Sequence, residues 1–191
     1  MRAGWGMAFG LLLLLIACTP TTQQQPSDVQ PANLLTMVAI EQPVDMQTVK
    51  TDSCFVWMSN GDAHRLRNLC IYSYSGEHLD AMELLRKRDS VMHRNVKGAT
   101  DSIYQQTVLK SVSSALTTTD HVERLQMSGL WQMKGDAMGG PFFCCAVRDS
   151  VRHRIVVADA FVYAPGKNKR ELMDRLKKIV RTINIKHNNN E

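Results

Sequence analysis

The residues with the greatest chemical potential sit in Gly135-Asp136-Ala137-Met138-Gly139-Gly140-Pro141 and at the cysteines. Glycines allow backbone to approach a ligand closely, and an Asp among them can accept a hydrogen bond or hold a cation. Asp136, Met138, Gly139, Gly140 and Pro141 therefore form a candidate binding loop, with a turn between strands as the competing explanation. Leu15-Ile16-Ala17-Cys18 closes an apolar run that starts at Ala8 and follows Arg2. That run is short for a membrane span and suits an export signal. A branched apolar residue and small Ala17 before Cys18 form a lipobox, in which the thiol takes a diacylglyceryl thioether and the freed amine takes a further acyl chain such as palmitate. Cys18 is thus the expected lipidation site, and several acyl chains anchor stably where one is marginal.

The other cysteines are Cys54, Cys70, Cys144 and Cys145. Four cysteines allow three complete pairings, and an exported chain permits them. Cys54 and Cys70 lie on neighbouring predicted strands. Cys144 and Cys145 are adjacent, so in a strand they face opposite sides; the alternative is buried thiols acting as small apolar residues. His64, His78, His93, His121, His153 and His187 are scattered, and neither His-Glu-x-x-His nor Gly-x-Ser-x-Gly occurs. No catalytic residue, metal site or cofactor is assigned. Asp159 interrupts an apolar strand, which points to an Arg partner, a strand edge, or a raised pKa with a functional role. Trp57, Tyr72, Tyr74, Trp131, Phe161 and Tyr163 can line a groove or fill a core.

These residues need elements to position them. The 191 residues, with net charge +5, suit one domain with a leader and a tail. Residues 1–17 read as a lipoprotein signal peptide, 18–50 as lipidated Cys18 and a flexible tether, 51–186 as one α+β domain and 187–191 as a tail. Asn33 to Ile40 is an apolar patch within the tether that can dock on the domain. Strands are expected over 54–58 and 68–74, then a helix from about Glu77 to Asn95. Leu79, Met82, Leu85 and Met92 give that helix its apolar face, with Arg86, Lys87, Arg88 and Arg94 mostly outside it. Residues 102–112 read as strand, 113–120 as loop and 122–134 as strand. Gly135-Asp136 and Gly139-Gly140-Pro141 read as breaks. Phe142 to Arg148 and Arg154 to Tyr163 form a hairpin, whose second strand is apolar on both faces and so central. Asn168 can cap a last helix carrying Leu172, Leu176, Ile179 and Ile183, with Glu171 at the capping-box position. Lys177, Lys178 and Arg181 crowd its C-terminal half, where cations suit the helix dipole. The order predicts an antiparallel sheet flanked by helices.

Several runs resemble one family: Val56-Trp57-Met58-Ser59-Asn60, Asn68 to Tyr74, Lys87-Arg88-Asp89-Ser90-Val91-Met92, Gly129-Leu130-Trp131, Gly135 to Phe142, and Phe161-Val162-Tyr163-Ala164-Pro165-Gly166-Lys167. Over about Asp52 to Ile185 they are similar to the C-terminal half of Bacteroidetes lipoproteins with a domain of unknown function numbered 4837. Longer members carry a further region before this part, where a tether is expected here. The family has Ile-Pro-Gly where this chain has Val96-Lys97-Gly98, and Cys144-Cys145 is atypical. The closing helix also resembles the end of PsbP- and Mog1-type domains, which implies an α/β/α sandwich. The resemblance implies a lipoprotein. No Asp and no acidic cluster follow Cys18, so the expected place is the periplasmic side of the outer membrane. The membrane and an envelope protein are the expected partners; nucleic acid is excluded by export. A non-enzymatic binding or assembly accessory is expected, with a small-ligand or lipid carrier and an envelope hydrolase as alternatives.

Overall fold

The computed structural model describes residues 34–186. In chain order they form α1 (Leu34–Met37), β1 (Val38–Ala39), β2 (Gln47–Thr51), β3 (Phe55–Ser59), β4 (Leu66–Ser75), α2 (Ala81–Asn95), β5 (Tyr104–Thr107) and a 3-10 turn (Leu109–Ser111). Then come β6 (Ser113–Thr119), β7 (Val122–Lys134), β8 (Gly139–Asp149), β9 (Arg154–Tyr163), α3 (Arg170–Arg181) and β10 (Asn184–Ile185).

Eight strands make one sheet in the order β2-β3-β4-β9-β8-β7-β5, with β6 also paired to β7. Every pairing is antiparallel. β2 to β4 form one half by hairpins. The chain then crosses the sheet through α2, starts the far edge at β5, and returns by hairpins until β9 closes against β4. Leu66 pairs with Tyr163 and Ser75 with Arg154, so the last strand is the centre. Its side chains are buried on both faces from Ile155 to Val162, as the doubly apolar run predicts.

Alternation along the strands sorts the core into two layers. Val56, Leu69, Ile71, Phe143, Cys145, Val156 and Ala158 meet Met173, Leu176 and Val180 of α3. Phe55, Cys70, Tyr72, Phe142, Cys144, Val157 and Phe161 meet Leu84 and Met92 of α2. The fold is therefore an α/β/α sandwich around an antiparallel sheet.

Several expectations change. Beyond expectation, β2 forms a sheet edge before residue 52; the apolar patch of residues 33–40 does dock, as expected, with Leu34 and Val38 buried in the α3-side core and β1 paired with β10. Apolar content rather than the polar surroundings decides that segment. Residues 18–33 and 187–191, including Cys18, lie outside the described residues. The Thr-rich run 113–120 is largely strand β6, because β-branched residues suit extended backbone. Asp120 and His121, both at positive φ, turn it into β7. Strand 102–112 shortens to β5 and the 3-10 turn. Gly139-Gly140-Pro141 does not break the chain; it begins β8.

Helix α2 starts at Ala81, because Asp80 caps it by accepting from Glu83 N at 2.7 Å. Its buried row is Leu84, Arg88 and Met92, while Met82 is 64% exposed. The expected face is thus displaced and Arg88 lies inside it. In α3 the cap position falls on Lys169, with no side-chain cap; Asn168 Oδ1 accepts from Arg170 N instead, and Glu171 pairs with Arg175 at 2.8 Å.

Candidate functional site

Gly135, at φ +82°, lets the chain reverse after β7, and Asp136 Oδ1 accepts from the next backbone amide. Met133 N donates to Met138 O at 2.8 Å, which closes the turn. Gly139 and Gly140 then pair with Gln132 and Trp131. A Cβ on Gly140 would collide with the carbonyl oxygen of Val162, and one on Gly139 would stand 2.9 Å from Trp131 O. Trp131 Nε1 donates to that same Val162 oxygen at 3.3 Å. The absent side chains are therefore taken up by neighbouring protein, at the place where β7, β8 and β9 converge. Asp136, Met138, Gly139, Gly140 and Pro141 do share the wall of one open depression of about 550 Å³, with Leu130 and Lys169 beside them. Among the described residues no group of three or more His, Cys, Asp and Glu is placed to hold a metal ion.

A second constellation comes from residues that the pattern of the helix had put outside. Arg88 and Asp159 are both fully buried, one on α2 and the other at the middle of β9. Arg88 Nε stands 2.8 Å from Asp159 Oδ2, a charge contact off the hydrogen-bond line, and Nη2 donates to Asp159 Oδ1 at 3.4 Å. Arg88 Nη1 donates to Thr107 Oγ1 at 2.7 Å. The Thr107 hydroxyl in turn donates to Asp89 Oδ1 at 2.6 Å, and its backbone N donates to the same oxygen at 2.9 Å. Under the guanidinium lies the Phe142 ring, 3.7 Å from Cζ to centroid. One arginine so ties α2 to β9, β8 and the edge strand β5.

Burial dominates the electrostatics here. It raises the Asp159 carboxyl to about 6, against the pull of Arg88. Burial is the largest influence on Arg88 and opposes its charge, but the neighbouring groups together, Asp159 first among them, outweigh it and raise the guanidinium. Cys70 and Cys144 flank Asp159 in register on β4 and β8. Their thiols are pushed well up, first by burial and then by Asp159. Burial likewise pushes Cys145 up to about 11. Burial thus favours the protonated thiol at all three positions. Cys144 faces the α2 layer and Cys145 the α3 layer, as adjacency in a strand requires. All four described cysteines are free, and Cys54 is exposed, so the pairing of Cys54 with Cys70 is not formed.

The six aromatic side chains do not line one common groove: Trp131 reaches the depression beside Asp136, and Trp57 a separate one beside Val44 to Val49. Tyr72, Trp131 and Phe161 are buried beneath α2, with Trp57, Tyr74 and Tyr163 packed around them. Trp131 meets Phe161 edge-on at 5.4 Å. Trp57 is tied down by donation from Nε1 to Asn68 Oδ1 at 2.9 Å. His93 stacks on Tyr104 at 3.8 Å, and His153 Nδ1 lies 2.7 Å from Glu77 Oε1. The signal that would have found Arg88 was present: Leu84, Arg88 and Met92 repeat every four residues, and Asp159 needed a cation.

Fold and site define an α/β/α module whose most perturbed ionisable groups are spent on its own interior. The chain belongs to the family described as Domain of unknown function (DUF4837), whose pattern matches residues 30–182. Among solved structures it is similar to a point mutant of the protein Mog1, with TM-score 0.49 and 9% identity over 79% of this chain and 92% of that one. The Saccharomyces cerevisiae Ran-binding protein Mog1p gives 0.48 and 9%, over 80% and 92%. A protein of Bacteroides thetaiotaomicron VPI-5482 gives 0.44 and 12%, over 80% of this chain and 46% of that one. No curated protein matches the chain.

Proposed function

We propose that this protein is a lipid-anchored envelope protein, held through Cys18 at the periplasmic side of the outer membrane, that binds a partner or assists assembly. The observation that carries this reading is the use made of the family's own runs. Lys87 to Met92, Asn68 to Tyr74 and Gly135 to Phe142 supply Arg88, Tyr72 and Phe142 to one sealed layer. On this reading the ion pair, fully buried, serves to specify which elements pack together. What the chain offers to the outside is its surface, which includes the depression beside Asp136 and Met138.

Crosslinking in intact cells, followed by purification through a tag beyond Glu191, tests the reading. One recurrent envelope protein should be recovered, and should be lost with Asp136→Ala and Met138→Ala, which leave the glycine packing untouched. Turnover of an envelope substrate by the purified protein, abolished by Asp136→Ala, would overturn it. Acylation is checked separately, by the mass of the peptide containing Cys18 and its return to the unmodified value in Cys18→Ser.

A further inference from the structure

The largest positive excess of this chain lies around α3, beyond a smaller basic stretch on and just after α2 that includes exposed Arg86, Arg94 and Lys97. Residues 167–186 hold eight Lys and Arg against two acidic residues, Glu171 and Asp174, a net +6; the whole chain carries +5, so the rest sums to −1. Arg170, Arg175, Lys178 and Arg181 lie on the exposed side of α3, Lys167 and Lys186 are exposed at its two ends, and Lys169 is half-exposed. The opposite side of α3 is committed to the core through Met173, Leu176 and Val180. Within this row Arg181 leans on the sheet, donating from Nε to Gln126 Oε1 at 3.4 Å, and Arg175 pairs with Glu171 of the same helix.

The described chain begins on the same side of the sheet as α3. Leu34 and Val38 pack in the α3 layer, and β1 pairs with β10 just beyond the helix. Glu41 N donates to Thr182 Oγ1 at 2.9 Å, and Lys186 N to Met37 O at 3.0 Å. Fifteen residues lie between Cys18 and Leu34. Even fully extended, that stretch spans at most about 55 Å. An anchor at Cys18 therefore holds the domain close to a bilayer by a chain that joins it on the α3 side of the sheet.

We propose that the outward face of α3 docks on anionic lipid headgroups, so that the anchored domain lies with α3 toward the bilayer and α2 away from it. This rests on the reading of Cys18 as the lipid attachment. Clustered Lys and Arg are attracted to anionic surfaces additively and within a Debye length, so docking is salt-sensitive. The orientation would leave β6 and the α2 layer free for a partner.

Lysine footprinting of the purified full-length lipoprotein, reconstituted in vesicles, tests this. An impermeant amine reagent is applied with zwitterionic phosphatidylcholine vesicles or with about 30 mol% phosphatidylglycerol, at low and high salt. Labelling of Lys167 and Lys178 should fall by about 3-fold or more in anionic vesicles at low salt and recover at high salt. Lys110, exposed near the far edge of the sheet, serves as the internal control and should not change. Equal labelling in both lipids overturns the proposal. The doubly reversed variant Arg170→Glu/Lys178→Glu should stay anchored and melt as the parent does, yet lose the protection at Lys167; retained protection also overturns it. The same spectra report whether Cys18 is acylated. An unmodified Cys18 sinks the anchor alone, and the footprint of the soluble chain with added vesicles then decides the docking by the same comparison.

Discussion

Arg88 is the side chain on which most depends. Removing it leaves the Asp159 carboxyl buried without a cation and takes a tie from α2, β8 and β5 at once. Arg88→Ala should cost about 3–5 kcal/mol in urea unfolding. The pair Arg88→Met/Asp159→Leu, apolar and of similar bulk, should recover most of that loss. If the single and double variants are equally unstable, packing volume matters there and charge does not. Asp159 also gives stability a pH dependence. Its carboxyl titrates near 6 in the fold, pushed up by burial, against about 4 in an unfolded chain. Between those values the folded chain holds a proton that the unfolded chain has released. This contribution is complete below about pH 4 and is lost as pH rises through about 6. Unfolding free energy should therefore decline by about 2–3 kcal/mol from pH 4 to 7 on account of this residue. The Asp159→Asn chain should lack that slope, which matched urea titrations at the two pH values will measure. Gly140 is the backbone counterpart. Gly140→Ala forces a methyl against the Val162 carbonyl and should destabilise by about 1–3 kcal/mol, seen as a lower melting temperature.

At the scale of elements, the β6–β7 hairpin carries an avoidable strain. Asp120 and His121 turn at φ 51° and 60°. Asn-Gly is the pair that best suits two consecutive positive φ values. Replacing Asp120-His121 by Asn-Gly should therefore stabilise the protein by about 1 kcal/mol, with the gain visible as a raised urea midpoint. A lowered midpoint would mean that His121 makes a contribution beyond the turn. Helix α2 shows why its face was misread. An arginine counts as polar in any periodicity, and only a carboxylate on another element can bring it inside. That carboxylate is 71 residues away. The strand β9, in contrast, was legible as central, because a run apolar on both faces has nowhere else to be stable.

For the whole molecule, the question is where the folded body begins. Leu34 is fully buried in the α3 layer, so Leu34→Ala should cost about 2–5 kcal/mol if the segment before β2 belongs to the fold. A loss under about 0.5 kcal/mol would return residues 34–50 to the tether. Thiol counting gives a second check. Of the four described cysteines, native protein should expose Cys54 alone to a thiol reagent, and unfolding should release Cys70, Cys144 and Cys145 as well.

Local order along the chain determined much of this protein. Alternation in the strands, the hairpin at residues 142–163, the central place of β9 and the layered fold class all follow from periods that a backbone imposes on apolar residues. The proposed lipobox is a local reading as well, because the chemistry it proposes acts on consecutive residues. Tertiary structure alone decided the rest. It made β6 a strand, since a polar Thr-rich run gains its ladder only when β7 lies alongside. It drew residues 34–40 into the core, because a short apolar patch has no period of its own and is placed by the surface that receives it. It also turned the glycines of 139–140 from a loop into packing and set Arg88 against Asp159. Burial, not residue type, determines the charge state of Asp159 and the thiols beside it, and burial is a property of elements that meet from distant parts of the chain.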